Sequence, residues 1–225
     1  MEWLQPLINF GLLFYDLVMH LDRHLIELVS RYDNWVYLIL FAIIFAETGF
    51  VITPFLPGDS LLFAVGALAA VDTTGTLHAG TAFVLLACAA ILGNTVNYAI
   101  GSAIGPRAFS GKVRLLKVEY LRRTEQFFEK HGGKTIIVSR FVPIIRTCAP
   151  FVAGIGHMRY ARFQLHNCVG GIGWVALFVF GGYLFGNIPI IKNNFGLVTI
   201  LIIVASLIPV AFGLLRRDAS GPTRG

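Results

Sequence analysis

The chain has 225 residues and a formal net charge of +6, and its composition is 56% hydrophobic and only 13% charged. Soluble globular domains contain roughly 25% charged residues, so this composition excludes an ordinary soluble protein and indicates a membrane protein. The basic residues cluster between apolar stretches, where they set topology, so the positive charge does not indicate nucleic-acid binding.

The N-terminal segment, residues 1–33, mixes apolar and charged positions in an amphipathic pattern. It is too charged to span a bilayer and is expected to lie along the membrane surface. The first half, residues 34–105, opens with an apolar helix that runs into Glu47, and a second apolar run follows Asp59. One smooth helix is precluded because helix-breaking residues lie between the two runs. These breakers are Pro54, Pro57 and Gly58.

The second half, residues 135–215, is separated from the first by a basic connector, residues 106–134, which is expected in the cytoplasm. It begins with an apolar stretch that contains Arg140 and Arg146. Basic residues flank both ends of this stretch, so both ends should lie on the cytoplasmic side. We therefore expect the stretch to enter and leave the membrane by the same face, as a re-entrant hairpin. Its breakers are Pro143 and Pro150.

The orientation of the remaining segments follows from the cytoplasmic connector. Residues 163–186 cross outward, residues 195–215 return, and the tail, residues 216–225, lies in the cytoplasm. Residues 79–101 span the membrane towards the connector, so the first hairpin, residues 48–70, enters from outside. The sequence thus predicts an all-α membrane protein with multi-pass helices and two inverted re-entrant helical hairpins, an arrangement that many secondary transporters use.

Short sequence matches between the halves support an inverted repeat. Phe63-Ala-Val-Gly66 resembles Phe151-Val-Ala-Gly154, and both halves close with Tyr-x-x-Gly, as Tyr98-Ala-Ile-Gly101 and Tyr183-Leu-Phe-Gly186. Inverted repeats in transporters place the substrate near the middle of the bilayer, between the two repeats.

Two acids and two bases lie within the apolar sequence, where an isolated charge costs roughly 2.5 to 3.5 kcal/mol. They are Glu47, Asp59, Arg140 and Arg146. Because their charges sum to zero, mutual pairing across the hairpins is expected to offset most of this cost. Pro143 breaks the helix between the arginines and lets them converge, and a pair of guanidinium forks suits phosphate oxygens. Burial favours the neutral form of a carboxylic acid, so Glu47 or Asp59 is expected to gate the site or to exchange protons.

The residues alone leave other interpretations of these charges open. The four side chains could form a static ion-pair network that fixes the packing of the hairpins, with no ligand. A membrane phosphatase could also use arginines and acids. No histidine or cysteine shows metal-ligand spacing, so we predict neither a metal nor a cofactor and assign no catalytic residue.

Three motifs make the chain resemble the bacterial DedA family over about residues 35–186. They are Glu47-Thr-Gly followed by Pro-x-x-Pro-Gly-Asp59, then Lys130-His-Gly-Gly-Lys134, and then Arg140-Phe-Val-Pro-x-x-Arg146. The resemblance implies a small bacterial inner-membrane protein with re-entrant hairpins. It also implies a role in returning undecaprenyl phosphate, the lipid carrier of envelope synthesis, across the membrane, and in proton-dependent envelope homeostasis.

The resemblance also assigns residues. It makes Glu47 and Asp59 the essential acids of the family, and Arg140 and Arg146 its essential basic pair. Many relatives have Gly-Asp-x-x-x-Tyr where this chain has Gly93-Asn94-Thr-Val-Asn97-Tyr98. Asparagine does not titrate, so a polar contact is expected there instead of proton transfer. We assign a supporting polar role to Asn94, Asn97 and Tyr98.

The sequence therefore predicts a flippase that moves a polyprenyl phosphate between leaflets, and it leaves open whether this transport is coupled to protons. An enzyme is not expected. The expected partners are membrane lipids, the polyprenyl phosphate and protons, and homo-oligomerisation is left open. A general phospholipid scramblase is the alternative within transport. A lipid phosphatase and a purely structural membrane protein are the alternatives outside it.

Overall fold

The computed structural model describes residues 21–50, 58–73, 75–108, 132–186 and 196–202, with single positions at 5, 188, 189, 191, 194, 204 and 205. All regular structure in these ranges is helical. The helices are α1 (Leu21–Tyr32), α2 (Val36–Gly49), α3 (Gly58–Val71), α4 (Ala79–Ala108), α5 (Lys134–Ser139), α6 (Pro143–Ile155) and α7 (Tyr160–Phe185). A short 3-10 helix, Asp33–Trp35, joins α1 to α2, and residues 196–202 are mostly helical.

Several sequence-based segments fall largely outside the described residues. These are the first twenty residues of the N-terminal segment, residues 109–131 of the connector, and residues 206–225. Pro54 and Pro57 also lie outside them, while Gly58 is the first residue of α3.

Three described helices are long and apolar enough to cross a membrane, namely His24–Gly49, Ala79–Ile104 and Tyr160–Phe185. The first begins within the segment that the sequence assigns to the membrane surface. Two shorter apolar helices cover Gly58–Val71 and Ile145–Ile155. At about 1.5 Å per residue, helices of this length fall short of a hydrocarbon core of about 30 Å. The predicted all-helical, multi-span class is confirmed, and the re-entrant path of the short helices stays a prediction.

The helix is interrupted between the two buried arginines. α5 ends at Ser139 and α6 begins at Pro143, and Val142 between them is extended, with φ −125 and ψ 103. Pro143 occupies the start of α6, where a missing N–H costs little. Pro150, however, lies inside α6, which continues to Ile155, so its prediction as a breaker is wrong. The loss of one backbone hydrogen bond at Pro150 is tolerated because α6 packs along α4.

Each short helix packs mainly against the long helix of the other half: α3 lies along α7, and α6 lies along α4. At the first crossing, a Cβ atom at Gly66 would lie 1.9 Å from the carbonyl oxygen of Val179. A Cβ atom at Gly182 would lie 2.0 Å from the carbonyl oxygen of Phe63. Because both oxygens belong to the backbone, this close approach requires glycine on both helices.

The second crossing has the same form. A Cβ atom at Gly154 would lie 2.2 Å from the carbonyl oxygen of Tyr98, and one at Gly101 would lie 2.1 Å from that of Phe151. The two halves are therefore interlocked, since each long helix holds the short helix that belongs to the opposite half.

These crossings correct the sequence-based repeat on the long helices. Gly66 meets the backbone of Val179, whereas its counterpart Gly154 meets the backbone of Tyr98. Val179 is therefore the structural counterpart of Tyr98, and it precedes Tyr183 by about one helical turn. The Tyr-x-x-Gly match was out of register because the glycine contacts, and not the tyrosines, fix where the helices cross.

Candidate functional site

The guanidinium of Arg146 lies between two carboxylates. Its Nη1 donates a hydrogen bond to Asp59 Oδ1 at 2.5 Å, and its Nη2 donates one to Glu47 Oε1. All three side chains are buried, with Glu47 0% exposed and the other two 6% exposed. Since Glu47 belongs to α2, Asp59 to α3 and Arg146 to α6, one guanidinium ties three helices together. We call these three residues the Arg146 cluster.

Gly58 leaves room for the Glu47 carboxylate. A Cβ atom at Gly58 would lie 2.0 Å from Glu47 Oε2 and 2.5 Å from Oε1. The first residue of α3 must therefore lack a side chain for the carboxylate to reach Arg146. The residue predicted as a hairpin breaker thus also shapes the site.

Arg140 is held by neutral groups. Its Nη2 donates hydrogen bonds to Asn167 Oδ1 at 2.6 Å, to Asn167 O at 3.3 Å and to Ala90 O at 3.4 Å. Among the described residues no carboxylate lies within ion-pair distance of it, and its Nε has no hydrogen-bond partner. Arg140 is 2% exposed and Asn167 is 0% exposed. The sequence-based expectation that both arginines pair with acids is therefore wrong for Arg140.

Two glycines of α7 leave space for the Arg140 side chain to lie directly against the helix. A Cβ atom at Gly170 would lie 3.2 Å from Arg140 Cδ, and one at Gly171 would lie 3.1 Å from its Nη2. Asn167 lies on one side of this glycine pair in the sequence and Trp174 lies on the other. The side chain of Arg140 therefore lies along α7 between an amide and an indole. Arg140, Asn167 and the two glycines are called the Arg140 cluster below.

Trp174 connects the two clusters. Its Nε1 donates a hydrogen bond to Asp59 Oδ1 at 2.9 Å, the same oxygen that accepts from Arg146. The centroid of its ring lies 5.2 Å from the guanidinium carbon of Arg146 and 6.0 Å from that of Arg140. Both distances are within the range of cation–π attraction. The two arginines thus converge on one buried indole, although among the described residues only Arg146 contacts acids.

Polar residues of α4 support each cluster separately. Asn94 Nδ2 donates to Asn167 Oδ1 at 3.1 Å, so it belongs with Arg140. Asn97 Nδ2 donates to the carbonyl oxygens of Thr147, at 2.8 Å, and Thr48, at 3.2 Å. These carbonyls follow Arg146 and Glu47 directly in the sequence, so Asn97 joins the segments that carry the Arg146 cluster.

Tyr98, in contrast, supports helix packing and contacts neither cluster directly. Its hydroxyl donates a hydrogen bond to the carbonyl oxygen of Met158, and its ring stacks on Phe163 with centroids 4.4 Å apart. Its contribution is to hold α4 against the start of α7.

Sequence reasoning missed Asn167, and it assigned no site role to Trp174. The sequence did contain a signal for both residues. An asparagine inside an apolar span is costly to insert into the membrane, and Asn167 begins the pattern Asn-x-x-Gly-Gly-x-x-Trp, which ends at Trp174. The seven-residue spacing places both side chains on nearly the same face of a helix. In the described part of the chain, no group of three histidine, cysteine, aspartate or glutamate residues is arranged to hold a metal ion.

The fold and the site define a multi-span helical membrane protein with an intramembrane cluster of buried charges. The VTT domain matches residues 56–184, a range that contains Asp59, both buried arginines, Asn167 and Trp174, whereas Glu47 lies just before it. The chain is 52% identical over 202 residues to Protein DedA of Escherichia coli (strain K12), covering 89% of the chain and 92% of that relative. It belongs to the DedA family.

Two further relatives show the range of the similarity. Inner membrane protein YqjA of Escherichia coli (strain K12) is 34% identical over 179 residues, which are 79% of the chain and 80% of that protein. A membrane protein of Mycobacterium tuberculosis (strain H37Rv) is 40% identical over 175 residues, which are 77% of the chain and 76% of that protein. No solved structure matches the chain.

Proposed function

We propose that the chain is a flippase that moves a polyprenyl phosphate, undecaprenyl phosphate in particular, between the leaflets of the inner membrane. The observation that carries this proposal is the pair of buried guanidiniums on one indole ring, Arg140 and Arg146 on Trp174. Guanidinium forks bind phosphate oxygens in a planar, multidentate way. The family membership, the helices of membrane-spanning length and the relative named as an inner membrane protein agree with a multi-pass inner-membrane location.

The Arg140 cluster argues against a purely structural network. A static scaffold has no use for a buried cation such as Arg140, to which the described residues supply no counter-charge, because apolar residues of similar volume would be as stable or more so. Intramembrane ionisable residues are by default functional. Arg140 instead keeps its positive charge next to neutral oxygens, which suits a ligand that supplies negative charge.

The Arg146 cluster supplies a gate. Glu47 and Asp59 occupy both ends of the guanidinium fork, so a phosphate reaches Arg146 only when at least one carboxylate releases it. Protonation of a carboxylate removes the charge that holds it to Arg146. We therefore propose that proton uptake by Glu47 or Asp59 opens the site. Because these charges are almost fully buried, movement of the short helices must expose them to one leaflet at a time.

Reconstituted vesicles test the proposal. The purified full chain is placed in liposomes, and movement of labelled undecaprenyl phosphate between leaflets is measured with and without a proton gradient. Wild-type protein should accelerate the movement, and Arg146→Ala should abolish it. Arg159→Ala is the matched control, because Arg159 is an exposed arginine outside the site. Transport by Arg146→Ala at the wild-type rate would show that the site is assigned wrongly.

The same vesicles separate the competing functions. Equal movement of phosphatidylglycerol, independent of the gradient, would identify a general phospholipid scramblase. Release of inorganic phosphate from undecaprenyl phosphate would identify a phosphatase, whereas we propose transport of the intact lipid.

A further inference from the structure

We infer that the two buried arginines have different roles, with Arg140 receiving the phosphate first and Arg146 acting as the latch that the two carboxylates hold closed. Asn167 and Trp174 are then positioning residues for Arg140. This inference rests on the proposed function and adds an order of events to it.

The first step is that the charge of Arg146 is already paired. Each end of its fork donates to a charged oxygen, one from Asp59 and one from Glu47. A phosphate that approaches Arg146 meets two acids close to it, and like charges brought together without water repel strongly. Arg146 is therefore a poor first contact for an anion in the state described.

The second step is that the charge of Arg140 is not paired with any carboxylate among the described residues. Its three hydrogen bonds all leave from Nη2 and end on amide or carbonyl oxygens of Asn167 and Ala90. The Nε atoms of both arginines have no partner among the described residues, so the difference between the two lies in charge. A phosphate oxygen is a charged acceptor and makes a stronger hydrogen bond to guanidinium than a neutral oxygen does. Exchange of a neutral acceptor for phosphate is favourable at Arg140.

The third step is that the guanidinium of Arg140 is held in place before the ligand arrives. Gly170 and Gly171 let its side chain lie directly on α7, Asn167 accepts from its tip, and the ring of Trp174 lies beside it. Asn94 in turn fixes the amide of Asn167. A group whose rotamer is already fixed loses less entropy on binding.

Trp174 provides a direct readout because its ring lies beside both guanidiniums. The chain has three tryptophans, so replacing Trp3 and Trp35 with phenylalanine leaves Trp174 as the single fluorophore. This parent variant, in detergent, is titrated with geranyl phosphate, a short-chain prenyl phosphate. Geraniol, which lacks the phosphate, is the control ligand. We expect a saturable change in Trp174 emission with the phosphate and none with the alcohol.

The decisive comparison uses one position and two substitutions. Asn167→Asp places a carboxylate directly on Arg140, and we expect at least about tenfold weaker binding of geranyl phosphate because the new charge competes with the ligand. Asn167→Ala removes the same hydrogen-bond acceptor without adding charge, and we expect a loss of only about threefold. Equal affinities of the two variants would overturn the inference.

A second comparison stands even if Asn167→Asp fails to fold. Arg140→Lys keeps the charge but loses the fork, so geranyl phosphate should bind about tenfold more weakly. Arg146→Lys should bind within about threefold of the parent while losing transport, because its fork is needed only after the latch opens. If Arg146→Lys weakens binding as much as Arg140→Lys, the division of roles is wrong.

Failure of this inference and failure of the proposed function look different. If vesicles transport undecaprenyl phosphate but binding depends equally on both arginines, only the order of events is refuted. If the parent neither binds geranyl phosphate nor transports the lipid, the proposed function fails and the inference falls with it.

Discussion

The two arginine clusters meet at one indole ring but are stabilised in different ways. Arg146 is tied to two acids from two other helices, whereas Arg140 is tied to an amide and to backbone carbonyls. Removing a partner from an ionic cluster leaves an uncompensated charge, whereas removing the cation from a neutral cluster leaves only unsatisfied oxygens. Two arginines that are similarly buried therefore need not contribute equally to the stability of the fold.

The largest expected effect comes from truncating each arginine in turn. Arg146→Ala leaves Glu47 and Asp59 buried without a cation and should lower the free energy of unfolding by about 3 to 5 kcal/mol. Arg140→Ala strands no opposite charge in the described part of the chain and should cost about 1 to 3 kcal/mol. Thermal unfolding in detergent, followed by circular dichroism, measures both. Equal losses in the two variants would contradict the distinction between the clusters.

The glycine crossings test the scaffold that holds both clusters. Gly66→Ala and Gly154→Ala each push a methyl group into a backbone carbonyl and should cost roughly 1 to 3 kcal/mol. Gly173→Ala and Gly181→Ala are matched controls, since a Cβ atom at either position has open space and alanine favours helix by up to about 1 kcal/mol. Controls as destabilised as the crossing variants would show that close approach is not what these glycines provide.

Trp174→Phe should weaken the Arg146 cluster more than the Arg140 cluster. Phenylalanine keeps an aromatic face for both guanidiniums but cannot donate to Asp59, so we expect a loss of about 1.5 to 3 kcal/mol. A double-mutant cycle with Asp59→Asn, read by thermal unfolding, isolates this contact. Additive losses in the cycle would mean that the indole N–H contributes nothing through Asp59.

The smallest expected effects come from the asparagines of α4. Asn97→Ala and Asn94→Ala should each cost roughly 1 kcal/mol, but in different places. The first should increase hydrogen exchange around Thr48 and Thr147, and the second around Asn167. Exchange that rises equally at both sites in both variants would mean that α4 does not serve the clusters separately.

Residue chemistry made part of the site predictable. Charges inside apolar sequence are rare because burying them in the membrane costs free energy. On that ground alone, the sequence identifies four candidate site residues: Glu47, Asp59, Arg140 and Arg146. Their pairing could not be read from spacing, because the break between Ser139 and Pro143 lets the two arginines face different helices. Asn167 was overlooked because its amide carries no charge. Its role in the site depends on Arg140, which is close to it only in the folded chain.

The fold, like the site, was predictable only in part from the sequence. Long apolar segments predicted the spanning helices, since length and composition decide that question. Pro150 was misleading because a proline in a helix is tolerated where neighbouring packing is strong. The register of the repeat was missed because it depends on which glycine meets which carbonyl across the interface, a contact between residues far apart in sequence.

The crosswise packing of the short helices has a consequence for biosynthesis. When the ribosome delivers α6, its partner α4 has already been made, but α3 is delivered long before α7. Asp59 and Trp174 are 115 residues apart, so at roughly 5 to 20 residues per second α3 waits about 6 to 23 s for its partner. Until Arg146 follows, 87 residues after Asp59, the Asp59 carboxylate has neither its indole nor its arginine, and the insertion machinery must shelter an unfinished half-site from lipid.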